Sequence, residues 1–242
     1  MNGSLTLITG ATSGLGMCLA RELASSKELL LLGRCGTKLQ ALKDELGASH
    51  HFLLCDLGDT ESIASCLSEF LSCNRLTVDK FIHCAAADQT LPAKAVTYDQ
   101  INILMRVNFY SVVELIRVLI KKSINKSALS NVLFISSVSS IRGYKAKAAY
   151  SASKGALDSY MRVLSKELAP RVSVNSILPG AIPTPMTEKE FNNPDLVEHF
   201  KDVYPMGIGS VDQVVSVVKA YHDLDKPWVT GQQIVVDGGF TS

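Results

Sequence analysis

Short, almost wholly apolar runs alternate with longer amphipathic segments along the whole chain. The runs Leu5–Thr9, Leu29–Gly33, His51–Cys55, Lys80–Cys84, Asn131–Ser136, Val172–Leu178 and Gln232–Asp237 predict β-strands. Several lack the apolar/polar alternation of a half-exposed strand, as expected when helices cover both faces of a parallel sheet. Between them, Gly14–Ser25 and Asp99–Lys122 predict helices. In the second, Leu104, Val107, Tyr110 and Ser111, then Glu114, Leu115 and Val118, recur at helical spacing. This alternation is the signature of βαβ units, hence of the α/β class. No low-complexity tract, long linker or internal repeat divides residues 1–242, which predicts a single domain. The turn-rich stretch Pro179–Pro185 and the polar, aromatic segment running to Gly209 predict a lid near 183–209.

Composition narrows the picture. A chain of 242 residues, 47% hydrophobic, can bury a sizeable core. A formal net charge of +1 argues against a nucleic-acid partner, which calls for a basic excess on one face. The start, MNGSLTLITG, lacks the basic residues, apolar stretch and cleavage site of a secretory signal. Apolar runs such as Leu29–Leu32 fall far short of the roughly 18 residues of a membrane span. A soluble, cytoplasmic protein with no membrane partner is expected. Cys18, Cys35, Cys55, Cys66, Cys73 and Cys84 are scattered, with no CxxC pair and no histidine at zinc-ligand spacing. They read as free thiols, and no metal site is expected.

Two constellations carry chemistry. The first strand runs into Thr9-Gly10-Ala11-Thr12-Ser13-Gly14-Leu15-Gly16 and then a helix. Glycines there let the backbone approach a diphosphate, and the helix N-terminus offers unpaired N–H groups and a positive dipole end. The second strand ends in Gly33-Arg34. A carboxylate at that place would bind the ribose 2′-hydroxyl of NAD, whereas an arginine suits the 2′-phosphate of NADP. Arg34 therefore favours NADP(H), with NAD(H) the alternative and a solvated loop arginine the bland one. Asp56, after the third strand, reads as a cofactor ligand or as a helix cap near Thr60-Glu61-Ser62.

The second constellation is Ser136-Ser137, a loop, and Tyr150-Ser151-Ala152-Ser153-Lys154 opening a helix. Four residues apart, Tyr150 and Lys154 share a helix face. An ammonium beside a phenol favours the phenolate and so lowers the tyrosine pKa, which makes it a usable acid or base. Ser137, at the strand's end, can bond the same substrate oxygen. YxxxK alone is common and otherwise reads as an exposed helix pair. Arg142, Lys145 and Lys147 form either a basic rim for an anionic substrate or solvated surface charge. Met186, Phe191, Phe200, Tyr204 and Met206 read equally as pocket wall or as packing. His83 reads as a core histidine.

These motifs together resemble the short-chain dehydrogenase/reductase family, and are similar to its 3-oxoacyl-acyl-carrier-protein reductase-like members. TGxxxGxG is that family's first motif, and its serine precedes its tyrosine by the thirteen positions that separate Ser137 from Tyr150. The resemblance extends to Asn108, to Pro179-Gly180 with Thr184, and to Val229-Thr230-Gly231-Gln232 with Val236-Asp237-Gly238-Gly239. It implies a single-domain, Rossmann-type doubly wound parallel sheet of about seven strands with helices on both faces. It implies Asn108, Ser137, Tyr150 and Lys154 as the catalytic set. Tyr150 would donate a proton, Lys154 would hold the nicotinamide ribose, and Asn108 would position a water linking Lys154 to solvent.

By the same resemblance the cofactor lies against Gly10, Thr12, Ser13, Gly14, Leu15, Gly16, Arg34, Asp56 at the adenine, Leu57, Ala85 and Ala86. It continues to Asn108, Tyr150, Lys154, Pro179, Gly180, Ile182 and Thr184. One departure is His83-Cys84-Ala85-Ala86 where the family commonly has NNAG, which places a methyl near the ribose. The implied activity is NADP(H)-dependent reduction of a ketone or 3-oxoacyl-type carbonyl on a small molecule, by a homo-oligomer, tetramer or dimer. The alternatives are an NAD-dependent alcohol dehydrogenase and a non-catalytic nucleotide-binding sensor or scaffold.

Overall fold

The computed structural model describes residues 4–225 and 227–242. Met1–Gly3, part of the start read above for a leader, lie outside the described residues. The first half of the chain runs β1 (Ser4–Thr9), α1 (Gly14–Ala24), β2 (Leu29–Gly33), α2 (Gly36–Leu46), β3 (His51–Leu54), α3 (Ile63–Asn74) and β4 (Thr77–His83). Three helices follow, α4 (Tyr98–Met105), α5 (Ser111–Leu119) and α6 (Lys122–Asn125), then β5 (Asn131–Ile135), α7 (Ala148–Glu167) and β6 (Ser173–Pro179). The chain ends with α8 (Glu188–Phe191), α9 (Pro194–Val203), α10 (Val211–Asp223) and β7 (Gln233–Val236).

The seven strands form one parallel sheet in the order β3-β2-β1-β4-β5-β6-β7. Alternation along β2 explains its unbroken apolar run: Leu30 and Leu32 pack with the inner residues of α3, α5 and α7, such as Leu67, Leu115 and Leu157. Leu29 and Leu31 turn the other way, toward Leu19 and Leu23 of α1 and Val214 and Val218 of α10. Both faces are thus covered, and polar positions are not needed on either. The strand order reverses between β1 and β4, which opens a crevice at the carboxyl ends of those strands.

The helix expected over Asp99–Lys122 is not continuous. A π-turn at Arg106–Tyr110 joins α4 to α5, and α5 ends at Leu119. The wider turn shifts the helical phase, so Asn108 is fully buried while Tyr110 is 41% exposed. Tyr110, at helical spacing from Leu104 and Val107, is thus turned outward by the extra residue in the turn.

The segment read as a lid carries α8 and α9. Phe191 packs on Phe200, Phe200 edges Tyr204, and Tyr204 stacks on Phe240 at 4.7 Å between ring centroids. Tyr204 is buried, and its hydroxyl accepts from Ala181 N (2.8 Å), so it braces the turn after β6. Met206 points to solvent. Of the five apolar lid residues, Met186 is the one that lines the cleft described next.

Candidate active site

A cleft of about 540 Å³ lies at the switch point. Every residue assigned above to the cofactor lines it except Asn108, which lies behind its wall. Ser137 lines it as well.

At one end, the β1–α1 turn brings the backbone close. Gly10 has φ +67°, and a Cβ on it would stand 2.9 Å from the Ala85 backbone, so the turn and the end of β4 touch. Ser13 precedes α1 in extended conformation and makes no side-chain cap bond. The first N–H groups of α1 are therefore left without a side-chain acceptor at the cleft, an arrangement that fits a diphosphate. Beside it, a Cβ on Gly33 would meet Thr12 Cγ2 at 2.9 Å. A side chain at position 33, including the acid of an NAD-type site, does not fit while Thr12 keeps its place. Arg34 is exposed at the rim. Asp56 caps its own turn rather than a helix: Oδ1 accepts from Gly58 N (2.9 Å), and α3 begins only after Ser62.

At the other end, Ser137 closes β5 and its Oγ accepts from Ser139 N (3.1 Å). Tyr150 is 9% and Lys154 1% exposed. Lys154 Nζ donates to the Ile135 carbonyl (2.9 Å) and stands 5.9 Å from the centre of the Tyr150 ring. Burial pushes the Tyr150 phenol well above its ordinary pKa; the Asp88 carboxylate adds to this, and the Ser137 hydroxyl opposes it. The phenol thus moves opposite to the lowering expected from Lys154. Burial also pulls Lys154 down to about 8, against the nearby Asp158, Cys84 and Asp88.

The Asn108 side chain is held by its neighbours. Its Nδ2 donates to Ala87 O and Ser153 Oγ (both 2.9 Å), and its Oδ1 accepts from Ala87 N (2.7 Å). Ser153 Oγ in turn donates to Tyr150 O (2.7 Å), so the π-turn is tied to the helix that carries Tyr150. Thr9 Oγ1 accepts from the N–H groups of Cys84 and Ala85, which leaves its proton for His83 Nδ1 (3.0 Å). His83 is fully buried, and burial holds it down to about 3. It is a neutral core histidine that fixes the β1–β4 seam.

Of the three basic rim residues, Lys147 is the one paired with carboxylates, and Arg142 stays exposed. Lys147 pairs with Asp88 and with Glu190 of α8 (3.4 Å), and Arg142 bonds the Phe240 carbonyl and lies 4.2 Å above its ring. Lys145 is exposed.

A family model described as enoyl-(acyl carrier protein) reductase matches residues 10–241. The chain is 30% identical over 248 residues to a 3-oxoacyl-acyl-carrier-protein reductase of Rickettsia prowazekii, covering 99% of this chain and 97% of that one. The chain belongs to the short-chain dehydrogenase/reductase family. It is also 27% identical over 241 residues to L-xylulose reductase of Bos taurus, with 98% and 96% of the two chains covered. A solved 4-hydroxyisoleucine dehydrogenase complexed with NADH superposes with a TM-score of 0.90 at 26% identity, over 98% of each chain.

This short-chain dehydrogenase/reductase, an oxidoreductase, keeps further residues near its centre that motif spacing alone did not select. Ser153 sits inside the YxxxK motif, three positions from Tyr150, which marks it as sharing that helix face. Asp158, four positions beyond Lys154, is signalled by its charge on a face that must be buried. Asp88 and Thr187 line the cleft from loops, and no periodic signal reaches them.

Among the described residues no helix is long and apolar enough to cross a membrane.

Proposed function

We propose that this enzyme uses NADPH to reduce a ketone or 3-oxoacyl-type carbonyl on a small molecule. The observation that carries it is the single cleft that joins Ser137, Tyr150 and Lys154 at one end to Arg34 and a sterically closed position 33 at the other. The relatives named as xylulose and 3-oxoacyl reductases support carbonyl reduction, and the NADH-bound structure supports a nicotinamide cofactor.

Bound here, a dihydronicotinamide would supply the hydride. The chain's own residues do the rest. The N-terminus of α1 and the close Gly10 turn hold the diphosphate, and Arg34 faces the 2′-phosphate. Ser137 and Tyr150 hydroxyls bind the carbonyl oxygen. Tyr150 gives up its proton there as negative charge develops. Burial keeps the phenol protonated at neutral pH, the form a proton donor needs. Lys154, with its value near 8, is charged at neutral pH, donates to the ribose and faces the phenol. Asn108 braces the Ala87 backbone and, through Ser153, the turn bearing Tyr150.

All six cysteines are free thiols, which suits the cytoplasm. Exposed Val163 on α7 and Val235 on β7 support a homo-oligomer, dimer or tetramer, built on those two elements. The test is oxidation of NADPH by purified protein offered L-xylulose, simple ketones and a 3-oxoacyl thioester. Carbonyl-dependent oxidation is expected. Oxidation by none of them, with alcohol-dependent reduction of NAD instead, would reverse the assignment.

A further inference from the structure

Lys154 is an ammonium enclosed by protein, with its Nζ hydrogen bond given to the Ile135 carbonyl. Such a charge is costly unless an opposite charge stands near. Asp158 lies one turn further along the same face of α7 and is equally enclosed, at 1% exposed. Its Oδ2 accepts from Ser136 Oγ (2.8 Å) and Gln233 Nε2 (2.9 Å), while Oδ1 is buried with no donor. These bonds pin the carboxylate between the end of β5 and β7, yet neither partner carries charge.

The other titratable groups facing this pair are few. Tyr150 shares α7, while His83 and Cys84 end β4. Burial keeps His83 neutral and pushes the Cys84 thiol up to about 12, so both are uncharged near neutral pH. Asp88 is taken by Lys147. Arg162, one turn beyond Asp158, is exposed and reaches only Gln233 Oε1 (3.4 Å).

We propose that Asp158 is a positioning residue that keeps the Lys154 ammonium charged in the free enzyme, ready for the cofactor ribose and the Tyr150 phenol. This rests on the reading of Lys154 as a cofactor partner, and Asp158 acts through Lys154 without touching substrate. Of the groups opposing the burial of Lys154, Asp158 is the strongest. A neutral residue in its place lets Lys154 lose its proton at lower pH.

Asp158→Asn keeps the shape and removes the charge. In wild type, NADPH affinity falls above about pH 8, as Lys154 deprotonates. In the variant that fall begins about one pH unit lower or more. Gln233→Leu, which removes a bond to the carboxylate but not its charge, leaves the limb where it was.

Melting without cofactor gives a second readout. Lys154 has a folded pKa below its unfolded 10.5, so its charged form destabilises the fold, and the penalty is relieved as pH rises through the folded value. Losing Asp158 deepens that penalty only while Lys154 is charged in the folded enzyme. The Tm deficit of Asp158→Asn therefore shrinks between about pH 6 and about pH 9. A deficit equal at all pH values, or an unmoved affinity limb, would show that Asp158 serves only its two hydrogen bonds and overturn the proposal. If Asp158→Asn does not fold at neutral pH, Asp158→Ser is read the same way. If neither folds, recovery above about pH 9 supports the proposal and its absence overturns it. Wild type that ignores NADPH sinks the functional reading, while the melting comparison still decides the role of Asp158.

Discussion

At the nucleotide end of the cleft the charged side chains, Arg34 and Asp56, stand in water, and the fit is made by the backbone of the Gly10 turn and the open start of α1, with the Thr12 side chain walling Gly33. At the carbonyl end the order is inverted. Tyr150, Lys154, Asp158 and His83 are all at least nine-tenths enclosed, and each is fixed by its neighbours' polar atoms or shifted by their charge. Charges in water are screened and weakly coupled, whereas enclosed ones feel one another strongly. On the proposed reading, shape and one exposed cation select the cofactor, and buried electrostatics do the chemistry.

That contrast predicts a ladder of effects. Tyr150→Phe, at the buried end, removes the proposed proton donor, and kcat is expected to fall by about 10²- to 10⁴-fold while NADPH titrates as in wild type. Turnover within a few-fold of wild type would place the proton donor elsewhere. At the nucleotide end the sensitive quantity is shape. Gly33→Ala drives a methyl against Thr12 and costs about 1–3 kcal/mol of stability, visible as a lower Tm. Adding Thr12→Ala recovers part of that loss, and strict additivity of the two changes would refute the clash. The smallest effect belongs to the partly exposed lid contact. Glu190→Gln breaks its pairing with Lys147, raising KM by no more than about five-fold with kcat unchanged.

The two ends also differed in what the sequence disclosed. Strands such as Leu29–Gly33 were legible because burial on both faces leaves an unbroken apolar run. The glycine turn and the Ser137, Tyr150 and Lys154 spacing led directly to one cleft, since these signals are local. What spacing could not carry was the third dimension. A helical period drawn through Asp99–Lys122 missed the π-turn, and with it the phase change that buries Asn108 and exposes Tyr110. Adjacency of Tyr150 and Lys154 on a helix suggested a lowered phenol pKa, but the ammonium is drawn to Ile135 and burial dominates. Lys147 and Arg142 read as free of partners because Asp88, Glu190 and Phe240, which they contact, are 59, 43 and 98 positions away in the chain. In the segment read as a lid, Phe191, Phe200 and Tyr204 pack on one another, which composition alone does not disclose.

In the proposed NADPH-dependent carbonyl reductase, cofactor choice is made at Arg34 and Gly33. Its most direct test is a titration of wild type and Arg34→Ala with NADPH and NADH, followed by nicotinamide fluorescence. Expected are tighter binding of NADPH by wild type, an affinity about 10- to 100-fold weaker in Arg34→Ala from the loss of charge-assisted bonds, and NADH binding nearly unchanged. Tighter binding of NADH, or an NADPH affinity indifferent to Arg34, would contradict this reading.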